Sequence, residues 1–122
     1  MRKIDCDKTK ESSEAVYKSV LKMLKGLKDE IKECELVNIT FLLKAGHGTD
    51  ITILTDKHGI LAAAEVTTSR GRNAKRLAKK NIERLKKLNI KHRYLFLQQS
   101  VCNRLKVFVT NAQEKGIETI PM

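Results

Sequence analysis

Two carboxylates and one run of cations are the residues best placed to do chemistry. Asp50 opens the alternating segment 50–54, Glu65 lies in the run 59–67, and AspLysHisGly separates the two. So short a glycine-ended link predicts an antiparallel hairpin. Pairing Thr55 with Ile60, or Asp56 with Gly59, carries the ladder on until Asp50 faces Glu65. Carboxylates roughly 5 Å apart at their Cβ atoms repel unless something positive sits between them, and a divalent cation with hard oxygen ligands would do so. Glu65 stands among Ala62, Ala63, Ala64 and Val66, where an unpaired ionised carboxylate is expensive. The plainer alternative has Asp50 capping the AlaGlyHisGlyThr turn and Glu65 at a solvated strand end.

The cations follow within a few residues. The chain of 122 residues carries 25 Lys and Arg against 14 Asp and Glu, a net charge of +11. Segment 70–93 holds eleven of the cations and a single acid, Glu83. Like charges so dense repel each other unless a polyanion screens them, which points to a nucleic-acid backbone. Arg70, Arg72, Lys75, Arg76, Lys79 and Lys80 are the candidate phosphate contacts. A membrane surface fits less well, because the apolar stripe of this segment has no Trp or Phe for the headgroup layer. The scarcity of aromatics also argues against a reader that stacks on single-stranded bases.

Other chemistries find little support. The longest apolar runs, such as 60–64, are far too short to span a membrane and the N-terminus has no signal-peptide pattern, so a cytoplasmic location is expected. Cys6, Cys34 and Cys102 read as reduced thiols. His47, His58 and His92 lack zinc-ligand spacing, and Gly46 and Gly48 form no phosphate loop.

The elements that must position these groups follow from periodicity. Val16, Val20, Leu24, Leu27 and Ile31 predict an amphipathic helix over 8–34, capped by Asp7 or Thr9 and weakened or bent at Gly26. Alternation predicts strands over 36–44, 50–54 and 59–67, a meander. A second helix places Ala74, Leu77, Ala78, Ile82, Leu85 and Leu88 on one stripe and the cations opposite. A strand over 93–98, a helix begun by Ser100 and stopped by Gly116, and a strand over 117–120 complete the order. The expectation is one α/β domain over residues 1–122, in which two crossovers extend the meander in parallel and helices cover both faces of a mixed sheet.

Over 48–67 the sequence GlyThrAspIleThrIleLeu, a short turn, then GlyIleLeuAlaAlaAlaGluValThr resembles the core of the PD-(D/E)xK nucleases. That superfamily has a restriction-endonuclease-like fold with an α-β-β-β-α-β core and includes the archaeal Holliday junction resolvases. The resemblance implies that Asp50 and Glu65 bind Mg²⁺ or Mn²⁺ and that an acid on the first helix joins them, Glu14 or its rival Glu11. It implies a metal-dependent endonuclease, a hydrolase of DNA rather than RNA phosphodiesters, for which a homodimer would suit the cutting of two strands. The sequence departs from the motif at Thr67, where a lysine belongs, two residues beyond Glu65 and on the same strand face. Arg70, Arg72 or Lys75 could reach back to supply that charge. The alternative is a catalytically inactive module of nuclease fold that binds DNA or RNA. A small RNA-binding protein without nuclease ancestry is a third reading, and it requires a register that parts Asp50 from Glu65.

Overall fold

The structure is a computed structural model that describes residues 2–41 and 50–122, with side chains over 14–40 and 50–122. The predicted turn around Gly46, His47 and Gly48, the side chain of Glu11 and that of Cys6 lie outside the described residues. In chain order the elements are α1 (Arg2–Gly26), α2 (Lys28–Lys32), β1 (Val37–Phe41), β2 (Ile51–Thr55), β3 (Gly59–Thr67), α3 (Asn73–Lys86), β4 (His92–Leu97), α4 (Gln99–Arg104), α5 (Lys106–Glu114) and β5 (Ile117–Pro121).

The strands form one mixed sheet in the order β1-β2-β3-β4-β5. β1, β2 and β3 pair antiparallel as a meander, and β4 and β5 add in parallel. Each face carries its own core. Val16, Val20 and Met23 recur at helical spacing along α1 and meet Ile51, Ile53, Ala62, Ala64 and Phe96 on one face. Ala74, Ala78, Ile82 and Leu85 of α3 meet Ala63, Leu95 and Leu97 on the other, where Ala112 of α5 and Ile117 of β5 extend the cluster. Consecutive alanines at Ala62, Ala63 and Ala64 are buried on both sides of the central strand. Their small side chains leave room for a helix to pack close on each face.

Three expectations about the helices are corrected. The first helix begins at Arg2, so Asp7 and Thr9 sit within it and do not cap it. It does not run unbroken over 8–34: the backbone departs from regular helix at Leu27, beside Gly26, and restarts as α2. The helix expected over 100–116 is two, α4 and α5, parted at Leu105, whose φ of -113° and ψ of 47° are not helical. Gly116 does end α5, at a φ of +79° that favours glycine.

Candidate metal and nucleic-acid site

The hairpin delivers the expected juxtaposition by an unexpected route. Its turn pairs Thr55 with Gly59, one residue tighter than the predicted pairing, and Gly59 takes a φ of +67° to allow it. Continued unchanged, that register would have set Asp50 against Ala64, one residue short of Glu65. A bulge at Leu61 inserts one extra residue, so Ile53 pairs with Ala62 and Ile51 with Ala64. The next step along the two strands sets Asp50 against Glu65. Each carboxylate accepts a backbone hydrogen bond from the other strand: the Asp50 N–H donates to Glu65 Oε1 at 2.8 Å, and the Val66 N–H donates to Asp50 Oδ2 at 2.8 Å.

Glu65 is fully buried on the face beneath α3, which excludes the reading of a solvated strand end. Asp50 is half-buried beside it. Burial, and then the charge of Asp50, push the Glu65 carboxyl up from 4.5 to about 7, against the pull of the Asp50 N–H and the Arg84 guanidinium. Burial raises Asp50 as well, and the Val66 N–H and Arg84 only partly offset it. Both groups therefore resist carrying their negative charges together.

Thr67 shares this face. Its Oγ1 accepts a hydrogen bond at 2.8 Å from Asn81 Nδ2 of α3. One turn further along the helix, Arg84 Nη1 meets Glu65 Oε2 at 3.0 Å in an ion pair. Sequence reasoning missed Arg84, although its position held a signal. Residue 84 lies three or four places from Asn81 and Leu88, on the flank of the apolar stripe, whereas Lys75, Lys79 and Lys86 fall on the opposite arc. The guanidinium that meets Glu65 thus comes from the last turn of α3 and not from Arg70, Arg72 or Lys75.

The expected basic surface is present in a reduced form. Arg72, Lys75, Arg76, Lys79 and Lys80 are exposed around the loop and first turns of α3. Other cations of segment 70–93 are turned to structural work. Arg93 donates to the carbonyls of Leu85, Leu88 and Lys115, near the carboxyl ends of α3 and α5. Lys91 and His92 both engage Glu30.

Glu14 falls elsewhere. It is exposed on α1 and lines a pocket of about 280 Å³ with Lys18, Lys22, Arg70, Phe96 and Gln98. Among the described residues no three acidic, histidine or cysteine side chains gather into one metal-sized group, so Glu14 does not join Asp50 and Glu65 there. No described helix is long and apolar enough to cross a membrane. The chain finds no match among protein-family models, curated proteins or solved structures.

Proposed function

We propose that this chain is a divalent-metal-dependent endonuclease domain acting on DNA, with Asp50 and Glu65 as metal ligands. The observation that carries the reading is the hairpin itself, which sets two carboxylates face to face although burial disfavours both as anions and the charge of Asp50 disfavours Glu65 further. A hard cation held between them would relieve that conflict. Magnesium is commonly bound through one or two carboxylates, with water and substrate phosphate oxygens filling its other positions, so a two-carboxylate site fits the group. Bound there, Mg²⁺ or Mn²⁺ would supply Lewis acidity and an activated water for phosphodiester hydrolysis. Arg84 neutralises part of the charge at Glu65, the position served by the lysine in the PD-(D/E)xK motif. Arg72, Lys75, Arg76, Lys79 and Lys80 hold the backbone from α3 and the loop before it. The α-β-β-β-α-β succession supports a restriction-endonuclease-like fold, and the preference for DNA rests on the resemblance over 48–67.

A second reading is favoured by two specific contacts. Arg84 already pairs with Glu65, and Asn81 already occupies Thr67, as in a module of this fold that binds nucleic acid without cutting it. Digestion of supercoiled, linear, single-stranded and branched DNA in Mn²⁺ separates the two. The nuclease reading expects cleavage by the wild type, none by Asp50→Ala, and a rate about 10²-fold lower in Arg84→Met, as for other lost charge stabilisers. A wild type that binds DNA yet cuts no form of it decides for the inactive module. Cleavage that persists undiminished in Asp50→Ala removes the metal site.

A further inference from the structure

The donors that hold the carboxylate pair differ in how they are rooted. The N–H groups of Asp50 and Val66, on Glu65 Oε1 and Asp50 Oδ2, belong to the backbone of the hairpin and cannot leave without shifting it. Arg84 Nη1 reaches Glu65 Oε2 at 3.0 Å from the last turn of α3. Its side chain is 33% exposed, whereas that of Glu65 is fully buried. A long, partly solvated side chain keeps rotamer freedom, so the guanidinium can depart by rotation of its stem alone.

Its charge makes that departure necessary when a second cation arrives. Arg84 draws both carboxylates down against the effect of burial, and so supplies part of what a divalent cation would. Two cations on one buried carboxylate repel strongly where the dielectric is low. Backbone N–H groups carry no net charge, and a carboxylate oxygen has further lone-pair capacity to give, so their bonds persist. The bond from the guanidinium does not.

The helix supplies a destination. Arg84 follows Lys80 by four residues and Arg76 by eight, so the three cations lie in one row along α3, and Arg76 and Lys80 are exposed. Like charges four residues apart repel. Turned from Glu65, Arg84 comes beside Lys80, where a phosphate of a nucleic-acid backbone between the two would answer both. Because Arg84 is the member of the row that touches Glu65, the phosphate it takes is the one nearest the carboxylates.

We infer that Arg84 is a two-position residue: it holds Glu65 Oε2 in the metal-free chain, yields that oxygen when a divalent cation binds between Asp50 and Glu65, and then takes a backbone phosphate beside Lys80. The inference deepens the metal-dependent reading above and rests on it. It makes the Arg84–Glu65 pair the resting state of the site and not the mark of a closed one. It also couples the two ligands, since cation and nucleic acid each raise the affinity for the other by the same factor.

The test follows the arginine Nε–H groups of the full wild-type chain by ¹⁵N NMR during a Mg²⁺ titration, with the amides of Asp50 and Val66 as sensors of the carboxylates. The Arg84 Nε–H signal is expected to shift, and its exchange with solvent to quicken, in step with those amides. A second measurement is the anisotropy of a labelled DNA duplex in EDTA and in Mg²⁺, recorded at once on mixing, before strands are cut. On passing from EDTA to Mg²⁺ the wild type should gain about tenfold in affinity relative to Arg84→Met, as one charge-assisted hydrogen bond contributes. The ratio cancels the direct effect of Mg²⁺ on the counterions of the duplex. Methionine is a good helix former, and the NMR measurement depends on no variant. An Arg84 signal that stays put while the Asp50 and Val66 amides respond, an unchanged ratio, or no duplex binding in Mg²⁺ would each overturn the inference and keep the metal site. Amides that never respond to Mg²⁺ would remove the metal site and the inference with it.

Discussion

Glu65→Gln measures how much the carboxylate pair costs the fold. In the native state the Glu65 carboxyl is pushed from 4.5 up to about 7, by burial first and by Asp50 second. Between those two values the folded chain keeps a proton that the unfolded chain has lost. Stability of the metal-free protein therefore falls as pH rises from 4.5 to about 7 and is level above it, a loss on the order of 3 kcal/mol. Glutamine cannot titrate, so the variant's profile should lose this fall and keep only the slope that the raised Asp50 contributes. It keeps an acceptor for the Asp50 N–H but gives up the carboxylate bonded to Arg84, which subtracts about 1–3 kcal/mol. At pH 8 in EDTA the variant should thus equal or exceed the wild type. Urea unfolding from pH 4 to 8.5 reads this directly, and the difference between the two curves separates Glu65 from Asp50, which burial shifts in the same direction. Adding Mn²⁺ should stabilise the wild type by about 2.7 kcal/mol at a hundredfold excess over Kd, and the variant by much less. The reasoning fails if wild-type stability rises with pH through the window and Glu65→Gln is strongly destabilised at pH 8. Glu65 would then be the anion of a structural ion pair with Arg84.

Reversing Lys75, Arg76 and Lys79 to Glu should abolish nucleic-acid binding in gel-shift or fluorescence titrations at physiological salt while leaving the unfolding midpoint nearly unchanged, because all three are exposed. Wild-type affinity should fall steeply with salt, and unchanged affinity in the triple variant would take α3 out of the interface. Thr67→Lys, which restores the motif lysine, should lower the melting temperature sharply and should not raise cleavage. The new ammonium would replace a buried hydroxyl bonded to Asn81, on the face where Arg84 already stands, and a buried unpaired charge is costly. A stable Thr67→Lys variant with faster digestion would show instead that Arg84 is no substitute.

The sheet was legible because each of its signals was local. Alternation in β2 and β3, the glycine-ended turn and the 3.6-residue stripe of α3 fix pairing and faces from neighbours in sequence, and the structure keeps the meander, both parallel additions and the two helical layers. The helix ends were less legible because caps and breaks depend on competition between nearly equal local choices. Gly26 weakens the first helix, but whether the chain bends or restarts there depends on packing, since Leu27 is buried against the core of α1 and the sheet. The break at Leu105 had no glycine or proline to announce it, and the structure offers no sequence signal that would have done so.

The site was legible for a weaker reason. The expected turn register was wrong by one residue, and the bulge at Leu61 corrected it, so Asp50 and Glu65 meet although the path to them was misjudged. A one-residue slip that persisted would have turned Glu65 from the face under α3 to the face under α1, away from Arg84 and Asn81. The burial pattern resists that slip. Leu61 and Ala62 both join the core beneath α1, and only an inserted residue lets neighbours on one strand face the same side. The bulge is therefore bound up with the site: it gives the first core its Leu61 and gives α3 its carboxylate. Local patterns in the sequence name the two acids, but the cation that answers Glu65 stands 19 residues away, on a helix whose other charges point to solvent. Only the packing of α3 on β3 brings Arg84 to it.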